Sequence, residues 1–136
     1  MSMKTPLKPQ RHPPVSGPSD IPIVHSLYDT YATWNKVLEK FPKSQRYTLG
    51  ETISRNLLTT LEIILAASGL SNPIEKLARL REASAKIDAL KLLVRLTKDC
   101  QCVTNNQYFD FESRLRDIGK MTGGWINSFR REETPE

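Results

Sequence analysis

Apolar residues recur every three or four positions through most of the chain, the spacing of one helix face rather than of a strand. From Pro22 the first such face reads Val24, Leu27, Tyr28, Tyr31, Trp34, Leu38 and Phe41, and Pro42 stops it. A second stripe reads Leu49, Ile53, Leu57, Leu61 and Ile64, with Ser44 or Thr48 expected as its cap and Gly69 as its end. Asn72-Pro73 opens a third helix, an N-cap followed by proline at the first helical position with Glu75 in the first turn. That helix is expected to run to about Cys100. Thr104 is placed to cap a fourth, whose stripe is Tyr108, Phe111, Leu115, Ile118, Thr122, Trp125 and Phe129. No alternating run bounded by turn residues suggests a strand. The fold expected is all-α: an up-and-down, antiparallel four-helix bundle over residues 22–131, its neighbours joined by short loops.

The third helix carries more apolar surface than one bundle needs. At about 100° per residue, Leu80, Ala83, Ile87, Leu90 and Val94 form a core stripe. Ile74, Ala78, Ala85, Ala89, Leu92 and Leu96 form a second stripe on a well-separated side. Such a helix is either central to its fold or buried against another subunit, because large exposed apolar patches are rare on soluble monomers. With four helices the second reading is preferred, and a homo-oligomer is expected. In the fourth helix Gly119 and Gly123 are four apart, and Gly124 follows. They mark either a close helix contact, which extends the expected interface to Gly119 and Gly123, or a kink or early end at Gly123-Gly124.

Outside the periodic region, residues 1–21 hold Pro6, Pro9, Pro13, Pro14 and Pro18 among basic and small residues, and are expected to form a disordered basic arm. Residues 132–136 form a short acidic tail. The chain lacks a long apolar N-terminal run, so no membrane association and a cytoplasmic location are expected.

Charge alters the picture more than composition does. Lys and Arg number 20 against 15 Asp and Glu, a formal charge of +5, and residues 22–131 alone hold 17 basic and 11 acidic side chains. Glu75 with Arg79 and Glu82 with Lys86 are acid-then-base pairs of the kind that stabilise a helix surface. Lys91, Arg95 and Lys98 instead follow an i, i+4, i+7 ridge beside the core stripe. Arg116 and Lys120 make a second ridge, and Lys36, Lys40, Lys43 and Arg46 cluster at the first turn between helices. Ridges of this kind suit phosphate contacts, so Lys43, Arg46, Lys91, Arg95, Lys98, Arg116 and Lys120 are the expected nucleic-acid contacts. A solvated face that maintains solubility is the competing explanation for each.

Catalytic chemistry has little support. No glycine-rich phosphate loop follows a strand, no carboxylates pair on one stripe, and no Cys or Ser has a nearby His. Cys100 and Cys102, one residue apart, fit free thiols better than a disulfide or a metal site, so no catalytic residue, metal or cofactor is expected.

Three segments carry a family resemblance: Phe41-Pro42-Lys43-Ser44-Gln45-Arg46-Tyr47-Thr48-Leu49-Gly50, Ala85-Lys86-Ile87-Asp88-Ala89-Leu90-Lys91-Leu92-Leu93-Val94-Arg95-Leu96, and Ile118-Gly119-Lys120-Met121-Thr122-Gly123-Gly124-Trp125-Ile126. In this order and spacing, over roughly residues 22–130, the chain resembles the accessory variability determinant of diversity-generating retroelements. That group lies within a wider set of four-helix bundles that includes proteins encoded in intervening sequences of large-subunit ribosomal RNA genes. The resemblance implies a ring-like homopentamer with a basic outer surface. It also implies a non-catalytic partner of a reverse transcriptase and its template RNA, and of cDNA, in mutagenic cDNA synthesis. A stand-alone intervening-sequence protein, acting as a structural or protein-interaction scaffold, is the alternative. Thr122 departs from the pattern, which leads one to expect a larger apolar residue before Gly123-Gly124-Trp125.

Overall fold

The structure, a computed structural model, describes the backbone of residues 21–133 and the side chains of residues 21–129. Most of the proline-rich arm and the end of the acidic tail therefore lie outside the described residues. Four long helices carry the fold: α1 (Pro22–Leu38), α2 (Glu51–Gly69), α3 (Pro73–Asp99) and α4 (Asn105–Glu133), with no strand among the described residues. Each packs on its chain neighbours, and α1 closes the bundle against α4. Lys98 lies over the Tyr108 ring while Lys76 lies over the rings of Trp125 and Phe129, so α3 and α4 run antiparallel. The α1–α2 and α3–α4 connections consequently share one end of the bundle.

Local chemistry sets the helix ends. Asn72 Oδ1 accepts the Ile74 and Glu75 amides at 2.9 and 3.1 Å, and Pro73 occupies the first helical position, where its missing N–H is of no consequence. Thr104 and Gln107 form a reciprocal capping box: the Thr104 hydroxyl accepts the Gln107 amide at 3.1 Å, and the Gln107 side chain accepts the Thr104 amide at 2.9 Å. At the end of α3 the Cys102 amide donates to Thr97 O at 2.8 Å and the Gln101 amide to Lys98 O at 3.0 Å. This is a Schellman arrangement, with Gln101 at φ 60° in the left-handed position usually given to glycine.

The α1–α2 junction differs from expectation. Neither Ser44 nor Thr48 caps a helix; a single turn (Lys43–Gln45) leads through a π-helical turn (Arg46–Gly50) into α2. Pro42, with φ −57°, takes the cap position itself. Thr48 Oγ1 donates back to the Gln45 carbonyl, so its hydroxyl is not turned toward free amides. The wide turn lets the chain pass close to α1: a Cβ on Gly50 would overlap Leu38 Cδ1 and lie 3.3 Å from the Phe41 ring.

The core forms two adjoining layers. Trp34, Phe41, Leu49, Ile53, Leu57, Leu90, Val94, Cys102, Phe111 and Leu115 fill the end that carries the two connections. Ile23, Val24, Leu27, Ile63, Ile64, Ala67, Leu80, Ala83, Ile87 and Ile118 fill the other, with Trp125 and Phe129 packed against it. Trp34 anchors the first layer, in edge contact with Phe41 at 5.4 Å and Phe111 at 5.3 Å, its indole N–H donating to Ser54 Oγ.

Most stripe residues face inward as read. Tyr28 does not: it is 66% exposed, because the buried face of α1 is centred on Ile23, Val24, Leu27, Thr30 and Trp34. Leu61 and Tyr31 are half-buried. Gly123 and Gly124 do not end α4, which runs on to Glu133, two residues beyond the expected boundary of the bundle. Thr122 is fully buried, and its hydroxyl donates to Ile118 O at 2.9 Å, so the small polar residue fits with no unpaired donor.

Candidate nucleic-acid interface

The contact between α3 and α4 holds two of the expected basic residues, Lys91 and Lys98, each against a residue of α4. At its connection end Lys98 Nζ stands 5.2 Å from the centre of the Tyr108 ring, a cation–π contact. One helical stretch away, Lys91 lies across the bare backbone of α4 at Gly119; a Cβ there would come within 3.3 Å of Lys91 Nζ. Gly119 thus makes room for a lysine of the same chain, while Gly123 and Gly124 would meet nothing within 4 Å of an added Cβ. Arg116 and Lys120 flank Gly119 in sequence and are exposed. Lys91 and Lys98 of α3 thus lie against α4, the helix that also carries the exposed Arg116 and Lys120, with Arg95 exposed on α3.

Carboxylates accompany three of these cations, Lys91, Arg95 and Arg116. Lys91 is 3.9 Å from Asp88 and Arg95 is 3.8 Å from Asp99, long contacts between exposed groups that contribute little free energy. Arg116 is held more firmly, its guanidinium donating to both Glu112 carboxylate oxygens at 2.7 and 2.9 Å. On the far side of α3 the expected Glu75–Arg79 and Glu82–Lys86 pattern is replaced by an Arg79–Glu82 pair at 2.9 Å.

Arg46, expected among the phosphate contacts, has a structural task. Its guanidinium donates to the C-cap carbonyl of α1, Glu39 O, at 2.9 Å and to Phe41 O in the turn that follows at 3.2 Å. Its Nε is buried without a hydrogen-bond partner. Lys43, on the same connection, is exposed. Lys36 and Lys40 line an open hollow of about 430 Å³ with Gln107 of α4, which links the first turn to the start of α4. Sequence reasoning missed three cation–π contacts, Lys98 with Tyr108, and Lys76 with Trp125 and with Phe129. Their partners are more than nine residues apart in sequence and only the α3–α4 packing unites them.

The second apolar stripe of α3 lies on the outside of the chain. Ile74, Ala78, Ala85, Ala89, Leu92 and Leu96 are all exposed, Ile74 and Leu92 to 72% and 71%. The central-helix alternative is thereby removed for a single protomer: the opposite face of α3 supplies the core and this one supplies none of it.

Cys100 is exposed and Cys102 buried, and among the described residues no three His, Cys, Asp or Glu side chains gather as metal ligands. Burial, and to a smaller extent the neighbouring Cys100, raises the Cys102 thiol above its ordinary pKa and disfavours its thiolate. Iodoacetamide at pH 8 is expected to modify Cys100 well before Cys102, as read by peptide mass spectrometry. Equal rates would place both thiols in solvent. Among the described residues no helix is long and apolar enough to cross a membrane.

The class these observations define is an all-helical four-helix bundle with cations along one side of α3 and an exposed apolar stripe on another. Residues 23–129 match the bAvd-like family, which spans nearly the whole bundle, and the chain belongs to that family. No curated protein matches the chain at a significant level.

Proposed function

We propose that the protein is a non-catalytic accessory subunit of a diversity-generating retroelement, binding the element's reverse transcriptase and template RNA and supporting mutagenic cDNA synthesis as a homo-oligomer. The bAvd-like match supports the retroelement setting. The observation that carries the RNA contact is the α3–α4 groove, where Lys91 and Lys98 of one helix lie against the helix that bears Arg116 and Lys120. Exposed ammonium and guanidinium groups in line along a groove attract a phosphate chain and release its counterions, giving affinity with little sequence preference. Lys43 extends the same charge to the end of the bundle. The reverse transcriptase does the chemistry, and this subunit holds the RNA to it. The exposed α3 stripe is the contact between protomers, consistent with the pentameric ring implied by the resemblance.

Replacing Lys91, Arg95 and Lys98 together with Glu is expected to weaken RNA binding at least tenfold at 0.1 M salt. The slope of log affinity against log salt should flatten by about two units, at roughly 0.7 per phosphate contact on single strands. Helicity should not change, because Lys91 and Arg95 are exposed and Lys98 is only half-buried. Unchanged affinity in a fluorescence anisotropy titration would remove the groove from the proposal. Co-purification of a reverse transcriptase with one dominant RNA tests the wider setting.

A further inference from the structure

The α3–α4 groove ends in aromatic rings as well as in charge. Phe109, at the start of the second turn of α4, is 59% exposed, a large apolar group that the core does not use. Its ring centre lies 5.4 Å from that of Tyr108, tilted by 56°, and Tyr108 in turn carries Lys98 over its face at 5.2 Å. Seven and eleven residues further along α4 are Arg116 and Lys120, the helical spacing that returns to the same outer side. One helix face therefore offers, in order, an open ring, the Arg116 guanidinium paired with Glu112, and the exposed Lys120, with Lys98 beside the ring.

We infer that this face takes single-stranded rather than duplex RNA, an unpaired base stacking on Phe109 while Lys98, Arg116 and Lys120 hold the flanking phosphates. The inference rests on the RNA-binding reading above and specifies its substrate. A phosphate ridge alone does not distinguish strands, because the backbone is charged in both. A ring does: a base within a duplex has both faces covered by its neighbours, whereas an unpaired base has a face free to lie on an aromatic side chain. The ring also adds a contact that salt does not screen, so it leaves the salt dependence to the cations. Tyr108 and Lys98 support the platform from behind: the ammonium over Tyr108 fixes that ring, against which Phe109 leans.

The test uses the full chain and two RNAs of equal length, one unstructured single strand and one perfect duplex, in anisotropy titrations at several salt concentrations. Phe109→Ala is expected to weaken single-strand binding roughly tenfold, the loss of one stacked base, with duplex affinity and salt slope unchanged. Tyr28→Ala, which removes an equally exposed ring on α1, should change neither. Phe109 is outside the core, so the variant keeps its fold, and circular dichroism verifies this. Equal losses for the two RNAs, or equal losses in the Phe109 and Tyr28 variants, would overturn the stacking role. So would a Phe109→Ala protein that binds both RNAs normally but loses its reverse transcriptase or changes mass, which would make Phe109 a protein contact. The two levels separate cleanly: if the Lys91, Arg95 and Lys98 replacement weakens binding and Phe109→Ala does not, RNA binding stands and the stacking inference falls. If neither weakens binding, the groove reading falls with it.

Discussion

Trp34→Ala is expected to lower the free energy of unfolding by about 3–5 kcal/mol, read as a shift in the urea midpoint followed by circular dichroism. Trp34 is completely buried between Phe41 and Phe111 in the layer that closes the connection end, so its removal leaves a cavity bordered by two rings. Domains of this size are stable by only about 5–15 kcal/mol, so the loss is a large share of the total. Ser54 is not left without a partner, because its hydroxyl also donates to Gly50 O at 3.2 Å. Trp34→Phe should therefore recover most of the loss, retaining the apolar ring and losing only the indole hydrogen bond to Ser54. A midpoint that does not move in Trp34→Ala would contradict the placement of this side chain.

Ala89→Glu is expected to break the homo-oligomer proposed above into protomers of 15.5 kDa, measured by light scattering. Ala89 lies in the middle of the exposed α3 stripe, between Ala85 and Leu92, where a carboxylate is fully solvated in the isolated chain. Glutamate is a good helix former, so the substitution should cost the protomer itself no more than about 0.5 kcal/mol. Across an apolar interface the same carboxylate loses its water without gaining a partner, a much larger penalty. Leu92→Asp, one turn further along, should act in the same direction. An Ala89→Glu protein that keeps the parental oligomeric mass would show that protomers meet elsewhere.

Repeating structure was the part of this fold most open to reading from sequence. The α3 core stripe from Leu80 to Val94 is buried throughout, and the caps at Asn72 and Thr104 sit where residue type and spacing put them. These features depend on local periodicity and on amides within three residues of a side chain, so the sequence contains them almost explicitly. Tyr28 was misread because its spacing fits the stripe, whereas the helix turns Thr30 inward instead, with its hydroxyl satisfied by Ser26 O at 2.7 Å. Apolarity alone does not show that a threonine can be hidden in this way. The structural role of Arg46 was not legible for a related reason: its charge was visible, but the carbonyls it serves appear only once α1 ends at Leu38 and the chain turns back through a π-helical segment. Of the candidate interface, the ridge on α3 followed from spacing alone. Its union with Gly119, Tyr108 and the cations of α4 required the antiparallel packing.

The four buried threonines have a consequence for how freely the helices can adjust. Thr30, Thr60, Thr97 and Thr122 lie one on each helix, and each hydroxyl donates to a carbonyl one turn earlier in its own helix: Ser26, Asn56, Val94 and Ile118. None of these bonds ties one helix to another. When neighbouring helices slide or rotate by an ångström, as subunit contacts often demand, each of these donors travels with its acceptor and none is stranded in an apolar interior. Apart from the Trp34–Ser54 bond between α1 and α2, these buried hydroxyls thus leave the helices free to make small adjustments in a way that a cross-helix polar network would not, a useful property for the scaffold role proposed above.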